Sequence, residues 1–120
     1  MRNARILIVD DEENFLQLLF QTLGKEGYQV RIANNGNDGI KWLETEPFDL
    51  ALIDIKMAPM NGLTLLEKIK TEYSRMKVIM ITAFSTPENQ NQCIESGADA
   101  FLIKPIEIRD LKEAIQNVLS

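Results

Sequence analysis

Two adjacent acids, Asp10 and Asp11, close an apolar run that begins at Arg5, and a third, Asp54, closes the run LALI. Two further apolar runs end on chemistry of the opposite or complementary kind. IMI leads into Thr82, and FLI leads into Lys104 and Pro105. Carboxylates brought together repel one another and lose hydration, so three in one place stay ionised only against a compensating cation. An all-oxygen donor set suits a hard divalent ion, Mg²⁺ or Mn²⁺. Lys104 would add a second positive charge and Thr82 a hydroxyl. A site of this composition favours an incoming phosphoryl group.

Whether these residues meet depends on the elements that carry them. Strands are expected at 5–9, 28–33, 50–53, 78–81 and 100–103, where short β-branched and aliphatic runs are bounded by turn residues. Helices are expected at 13–25, 37–45, 63–73, 87–96 and 108–119. The first carries Phe15, Leu16, Leu19, Phe20 and Leu23 at helical spacing and stops before Gly27. The last carries Ile108, Leu111, Ile115, Val118 and Leu119 as an amphipathic stripe, whereas PENQNQCIES is polar. Strand and helix alternate five times, which implies a parallel sheet with helices on both faces. The fold class is therefore α/β, a flavodoxin-like (βα)5 three-layer sandwich with strand order 2-1-3-4-5. In that order the first and third strands are neighbours, and sites form beyond the carboxyl ends of the strands. Asp10, Asp11 and Asp54 would converge there.

The bulk composition sets limits. The 120 residues fit one domain, 1–120, large enough to bury a core without disulfides or a structural metal. A net charge of −5 argues against nucleic-acid binding. Cys93 is the only cysteine, which fits a reducing compartment. Histidine is absent, which removes Ser-His-Asp triads, histidine metal sites and a role as a phosphohistidine carrier. The N-terminus meets acid too early for a secretory signal, and no apolar run approaches membrane-spanning length, so a cytoplasmic location is expected.

With these residues in place, the chain resembles the receiver domains of two-component response regulators, the CheY-like superfamily. The matching elements are Asp10-Asp11, Asp54, the loop from Met57 to Gly62, Thr82-Ala83, and GADAFLIKP from Gly97 to Pro105. Within the family it is similar to single-domain phosphorelay receivers and to the receivers of enhancer-binding activators. The resemblance implies that Asp54 accepts a phosphoryl group from a phosphohistidine on a sensor histidine kinase or a histidine phosphotransferase. It implies that Asp11 binds Mg²⁺ directly and Asp10 through water, with Asp54 and the Lys56 backbone carbonyl completing the protein ligands. Lys104 would pair with a phosphate oxygen, and the peptide before Pro105 would be cis. Thr82 would turn to the phosphate and Phe101 would move inward with it. The signal would then emerge on the face of the fourth helix, fifth strand and fifth helix, for a downstream protein partner or a C-terminal effector domain outside this chain. Lys56 and Phe84 would flank the site and slow attack by water, lengthening the life of the phosphoform. The chain would catalyse only its own phosphorylation and dephosphorylation.

The loop departs from the family's usual M-P-G-M-D/N-G. Here it reads Met57-Ala58-Pro59-Met60-Asn61-Gly62, with proline one place later and the first glycine missing. Altered geometry after Asp54 is implied, of a kind the loop is expected to tolerate. The first helix carries more apolar surface than one buried stripe needs, and part of it could dock a histidine-bearing helix. Three other readings compete with this one. A degenerate receiver serving only as an interaction module sits poorly with the intact set Asp10, Asp11, Asp54, Thr82 and Lys104. A haloacid-dehalogenase-type phosphohydrolase needs an acid two residues after Asp54, where Lys56 stands. A flavodoxin-like nucleotide module needs a Gly- or Ser/Thr-rich loop after the first strand, where DDEEN offers anions.

Overall fold

The aliphatic runs form a five-stranded parallel sheet in the order β2-β1-β3-β4-β5, in a computed structural model that describes residues 3–57, 60–83 and 85–120. The strands are β1 (Arg5–Val9), β2 (Gln29–Ala33), β3 (Leu50–Asp54), β4 (Lys77–Thr82) and β5 (Ala100–Ile103). They alternate with α1 (Glu13–Lys25), α2 (Gly36–Thr45), α3 (Gly62–Glu72), α4 (Pro87–Glu95) and α5 (Ile108–Leu119). This is the expected flavodoxin-like architecture. Among the described residues no helix is long and apolar enough to cross a membrane.

Side chains alternate across each strand and so divide the core into two layers. Ile6, Ile8, Leu50, Leu52, Ile79 and Ile81 face α1 and α5, meeting Leu16, Leu19, Leu23, Leu111 and Ile115. Leu7, Val9, Ala51, Ile53, Val78 and Met80 face the other way, toward Leu43, Leu65, Leu66, Ile69 and Cys93 of α2, α3 and α4. Covering on both sides explains why the central strands are almost continuously apolar. Burial of each such Leu or Ile contributes roughly 1.5–3 kcal/mol.

The element boundaries differ from the sequence expectation by one residue at several ends, and at the site these differences are informative. β3 continues through Asp54, which lies opposite Ile81, and β4 continues through Thr82, which lies opposite Ile103. A polar residue reads as a strand end, but here the ladder extends beneath the site and holds both side chains on rigid backbone. α2 and α3 start one residue earlier than expected, at Gly36 and Gly62. In both, an asparagine N-cap fixes the start. Asn35 accepts a hydrogen bond from the Asp38 amide, and Asn61 from the Thr64 amide. β2 begins at Gln29 rather than at Tyr28, and α3 and α4 each end one residue early. α4 is polar as expected, with Cys93 its one buried residue and Ile94 exposed.

Candidate functional site

At the carboxyl edge of the sheet, Asp10 follows β1 directly. Its amide donates to the Ala33 carbonyl, which ties the start of the loop to β2. Its Oδ1 accepts from the Glu12 amide at 2.8 Å, so the chain turns sharply into α1. Asp54 ends the neighbouring strand, and its Oδ1 accepts from the Lys56 amide at 3.3 Å. Asp10 and Asp54 are buried and Asp11 is exposed. One carboxylate oxygen from each of the three lies within 4.8 Å of the others. The expected convergence of Asp10, Asp11 and Asp54 is therefore present.

Lys104 reaches this cluster from the end of β5. Its backbone amide donates to the Thr82 carbonyl at 2.8 Å, and the Lys104–Pro105 peptide is cis. Its Nζ lies 2.7 Å from Asp10 Oδ2, 2.7 Å from Glu12 Oε1 and 3.9 Å from Asp54 Oδ2. It also stands 4.4 Å above the centre of the Phe15 ring, a cation–π contact.

The electrostatics follow from burial and like charge. Desolvation, helped by the nearby Asp10 charge, raises the Asp54 carboxyl from 3.8 to about 6, although Lys104 pulls it back. Burial also raises Asp10, in spite of its hydrogen bonds from Lys104 and the Glu12 amide. Burial disfavours the charge on Lys104, but its hydrogen bonds to Asp10 and Glu12 outweigh that and hold its pKa above the ordinary value. Three carboxylates stand here against the single ammonium of Lys104, so the site carries more negative charge than Lys104 alone compensates. Such a set of hard, closely spaced oxygens fits a divalent cation of the Mg²⁺ type.

Thr82 is fully buried beside Asp54 at the end of β4. Phe101 lies opposite Met80, two ladder positions before the Thr82–Ile103 pair, so it shares the face of Thr82. It is half-buried against the α2–α3–α4 layer. Lys56 is exposed at the site's mouth. It shares with Asp11, Asn61, Asn89 and Gln92 the wall of a cleft of about 550 Å³ that opens between the β3–α3 loop and α4. Phe84 and the Ala58-Pro59 departure lie outside the described residues.

Two contributors carry no site signal in the sequence. Glu12 directly precedes the expected first helix, where an acid is a possible helix cap. It does stand at the N-cap of α1, but its side chain makes no cap hydrogen bond and goes to Lys104 instead. Phe15 belongs to the apolar face of the first helix in the sequence pattern. Trp42 donates from Nε1 to the Ile32 carbonyl at 3.0 Å.

A family model described as the response regulator receiver domain matches residues 6–116. The transcriptional regulatory protein ZraR of Escherichia coli is 33% identical over 98% of this chain, which corresponds to 27% of that protein. The response regulator protein PilR of Pseudomonas aeruginosa is 35% identical over 99% of this chain and 27% of its own length. This chain thus spans about a quarter of the length of those relatives. Among solved structures, a CheY-like receiver domain protein from Methanospirillum hungatei superposes with a TM-score of 0.94 at 44% identity, covering 97% of this chain and 93% of that one. The response regulator TrrA of Thermotoga maritima, in complex with Mg²⁺-BeF, superposes with a TM-score of 0.87 at 33% identity, covering 99% of this chain and 100% of that one.

Proposed function

The chain belongs to the response regulator receiver domain family, and from that premise we propose that it is a phosphorylation-controlled switch whose acceptor is Asp54. The observation that carries this reading is the place of Asp54. It ends a central strand, with Asp10 and Asp11 beside it and the Lys104 ammonium 3.9 Å away. A carboxylate so held can act as a nucleophile, and the transfer asks chiefly for positioning and neutralised charge.

In the proposed step an Asp54 Oδ forms a bond to phosphorus while the phosphorus–nitrogen bond of a donor phosphohistidine breaks. The leaving nitrogen keeps that electron pair, and the imidazole departs neutral because its other nitrogen carries a proton. Asp10, Asp11 and Asp54, with the Lys56 main-chain carbonyl, would hold Mg²⁺, and Mn²⁺ suits the same donors. The ion, when bound, supplies positive charge for the transferring phosphoryl oxygens. Lys104 would move from Asp10 and Glu12 onto a phosphate oxygen. Thr82 would donate its hydroxyl to another, and Phe101, on the same sheet face, would follow it inward. These contacts exist only with phosphate present, which is the differential interaction that a two-state element requires. The altered surface would be that of α4, β5 and α5, read by a downstream partner or an attached effector domain. Lys56 at the mouth, with Phe84, would slow hydrolysis.

The donor would be a histidine kinase or histidine phosphotransferase. Its histidine-bearing helix would dock on the groove of about 350 Å³ between α1 and the β5–α5 turn, lined by Phe15, Leu18, Pro105, Ile106 and Ile108.

Intact-mass spectrometry after acetyl phosphate treatment tests the reading, with Mg²⁺, with chelator, and with Asp54→Asn. The expected result is one Mg²⁺-dependent phosphoryl adduct, absent from the variant. A folded wild-type protein that takes no adduct from acetyl phosphate or from any histidine kinase would favour a non-phosphorylated interaction module.

A further inference from the structure

We propose that Glu12 is a positioning residue that holds Lys104 in a resting seat and so restrains phosphorylation of Asp54. The proposal rests on the acceptor reading of Asp54 given above and adds a control on that site.

The seat has three walls. Asp10 and Glu12 each lie 2.7 Å from Lys104 Nζ, and the Phe15 ring lies beneath it. Asp54, at 3.9 Å, is beyond hydrogen-bond reach. An ammonium has three donors, and two of them are committed to carboxylates other than the acceptor. One donor is left over, but the two bonds hold Nζ 3.9 Å from Asp54, so moving the ammonium onto a phosphate oxygen there stretches or breaks at least one of them. Asp10 is buried at the base of the cluster, whereas the Glu12 side chain is 60% exposed. Glu12 is thus the partner whose hold can be released without baring a buried charge.

The local structure shows that this use of Glu12 is a choice among alternatives. At an N-cap a short polar side chain turns back and accepts from its own helix, as Asn35, Asn61 and Thr86 do here. Glu12 occupies the same position on α1 and makes no such bond. Its longer side chain spans to a residue 92 positions away. An aspartate at this position would keep the charge but favour its own helix amides and fall short of Lys104.

That difference provides the test. Glu12→Asp, Glu12→Gln and, as a control, Glu13→Gln are compared with wild type for the initial rate of Mg²⁺-dependent adduct formation from acetyl phosphate. The side-chain ¹⁵Nζ signal of Lys104, assigned with Lys104→Arg, is recorded in each. Both Glu12 variants are expected to phosphorylate about threefold faster, the factor that release of a partly exposed ion pair allows. In both, the Lys104 ammonium signal should shift or broaden, and Glu13→Gln should match wild type. A faster Glu12→Gln with an unchanged Glu12→Asp would assign the effect to through-space charge and overturn the seat. An unmoved Lys104 signal in both Glu12 variants would overturn it too. Failure of wild type itself to accept phosphate would instead count against the acceptor reading, and the ammonium signal would still decide the seat.

Discussion

Gly62 stands directly against the backbone of Asp54: a Cβ at Gly62 would lie 2.0 Å from the Asp54 carbonyl oxygen and 2.8 Å from its carbonyl carbon. The Gly62 amide donates to the Ile55 carbonyl at 2.7 Å, so the β3–α3 loop closes onto the strand that presents the acceptor candidate.

Gly62→Ala should therefore be destabilising well beyond a helix-propensity change, which on its own would favour alanine. The obstructing atoms are backbone and cannot rotate away. A loss of about 3 kcal/mol is expected in urea unfolding, the upper range for overpacking. Asn61→Ala, which removes only the cap, should cost about 1 kcal/mol. Equal midpoints for the two variants would show that the loop yields more easily than this contact implies.

The raised Asp54 carboxyl makes a second expectation, with a definite sign. In the metal-free protein Asp54 titrates near 6, against 3.8 ordinarily. Between those values the folded chain keeps a proton that the unfolded chain has released, so this group lowers stability as pH rises through the window. Asp54→Asn removes the penalty. At pH 7 without metal the variant should be more stable by about 2 kcal/mol, with the gain vanishing below pH 4. Thermal melts across pH 4–7.5 in chelator, compared with melts in Mg²⁺, would check this. A variant no more stable than wild type at pH 7 would mean that Lys104 already compensates Asp54 fully.

Lys104 and a divalent ion would compete for the same acids, because Lys104 already lies 2.7 Å from Asp10. Lys104→Ala should therefore bind Mg²⁺ several-fold more tightly while phosphorylating much more slowly, since the charge proposed to serve the phosphoryl group is lost. Calorimetric titration and adduct formation read the two effects separately. Weaker Mg²⁺ binding in the variant would show that Lys104 orders the acids rather than competing for them.

What was legible in the sequence was the part governed by local pattern. Apolar runs that end on acids, a hydroxyl and a lysine place Asp10, Asp54, Thr82 and Lys104 at strand ends, and alternation of strands and helices brings those ends together. Contacts that depend on a side chain's reach across the fold were not legible. Glu12 reads as a helix start because composition shows only what could cap α1, whereas Lys104 is distant in sequence and within 2.7 Å in space. Asp54 and Thr82 read as the residues after their strands because polarity suggests an end. The neighbouring strands β4 and β5 supply partners that carry the ladder through them. Gly36 and Gly62 fall just outside the helices expected from sequence, because glycine gives no helix signal, whereas the Asn35 and Asn61 caps make each the first helical residue.

The proposed docking of a donor helix on the exposed apolar face of α1 can be tested apart from the chemistry. Leu18 is half exposed, yet it lines the groove beside Phe15, Ile106 and Ile108, while the Leu16, Leu19 and Leu23 side chains on the same helix are buried in the core. A solvent-facing leucine adds little to stability, so its placement beside the site is better matched to a partner's apolar helix face. Leu18→Glu should leave the melting temperature and the acetyl phosphate reaction within about twofold of wild type. With a histidine kinase that phosphorylates wild type, transfer to the variant should fall at least tenfold, as expected for loss of an anchoring contact of about 2 kcal/mol. Leu19→Ala serves as the contrasting core variant. It should lower stability by about 3 kcal/mol and impair both donors only near its unfolding temperature. If transfer from the kinase to Leu18→Glu is as fast as to wild type, the donor helix must approach by another face, and the cleft bounded by Lys56, Asn61 and Asn89 would be the next to probe.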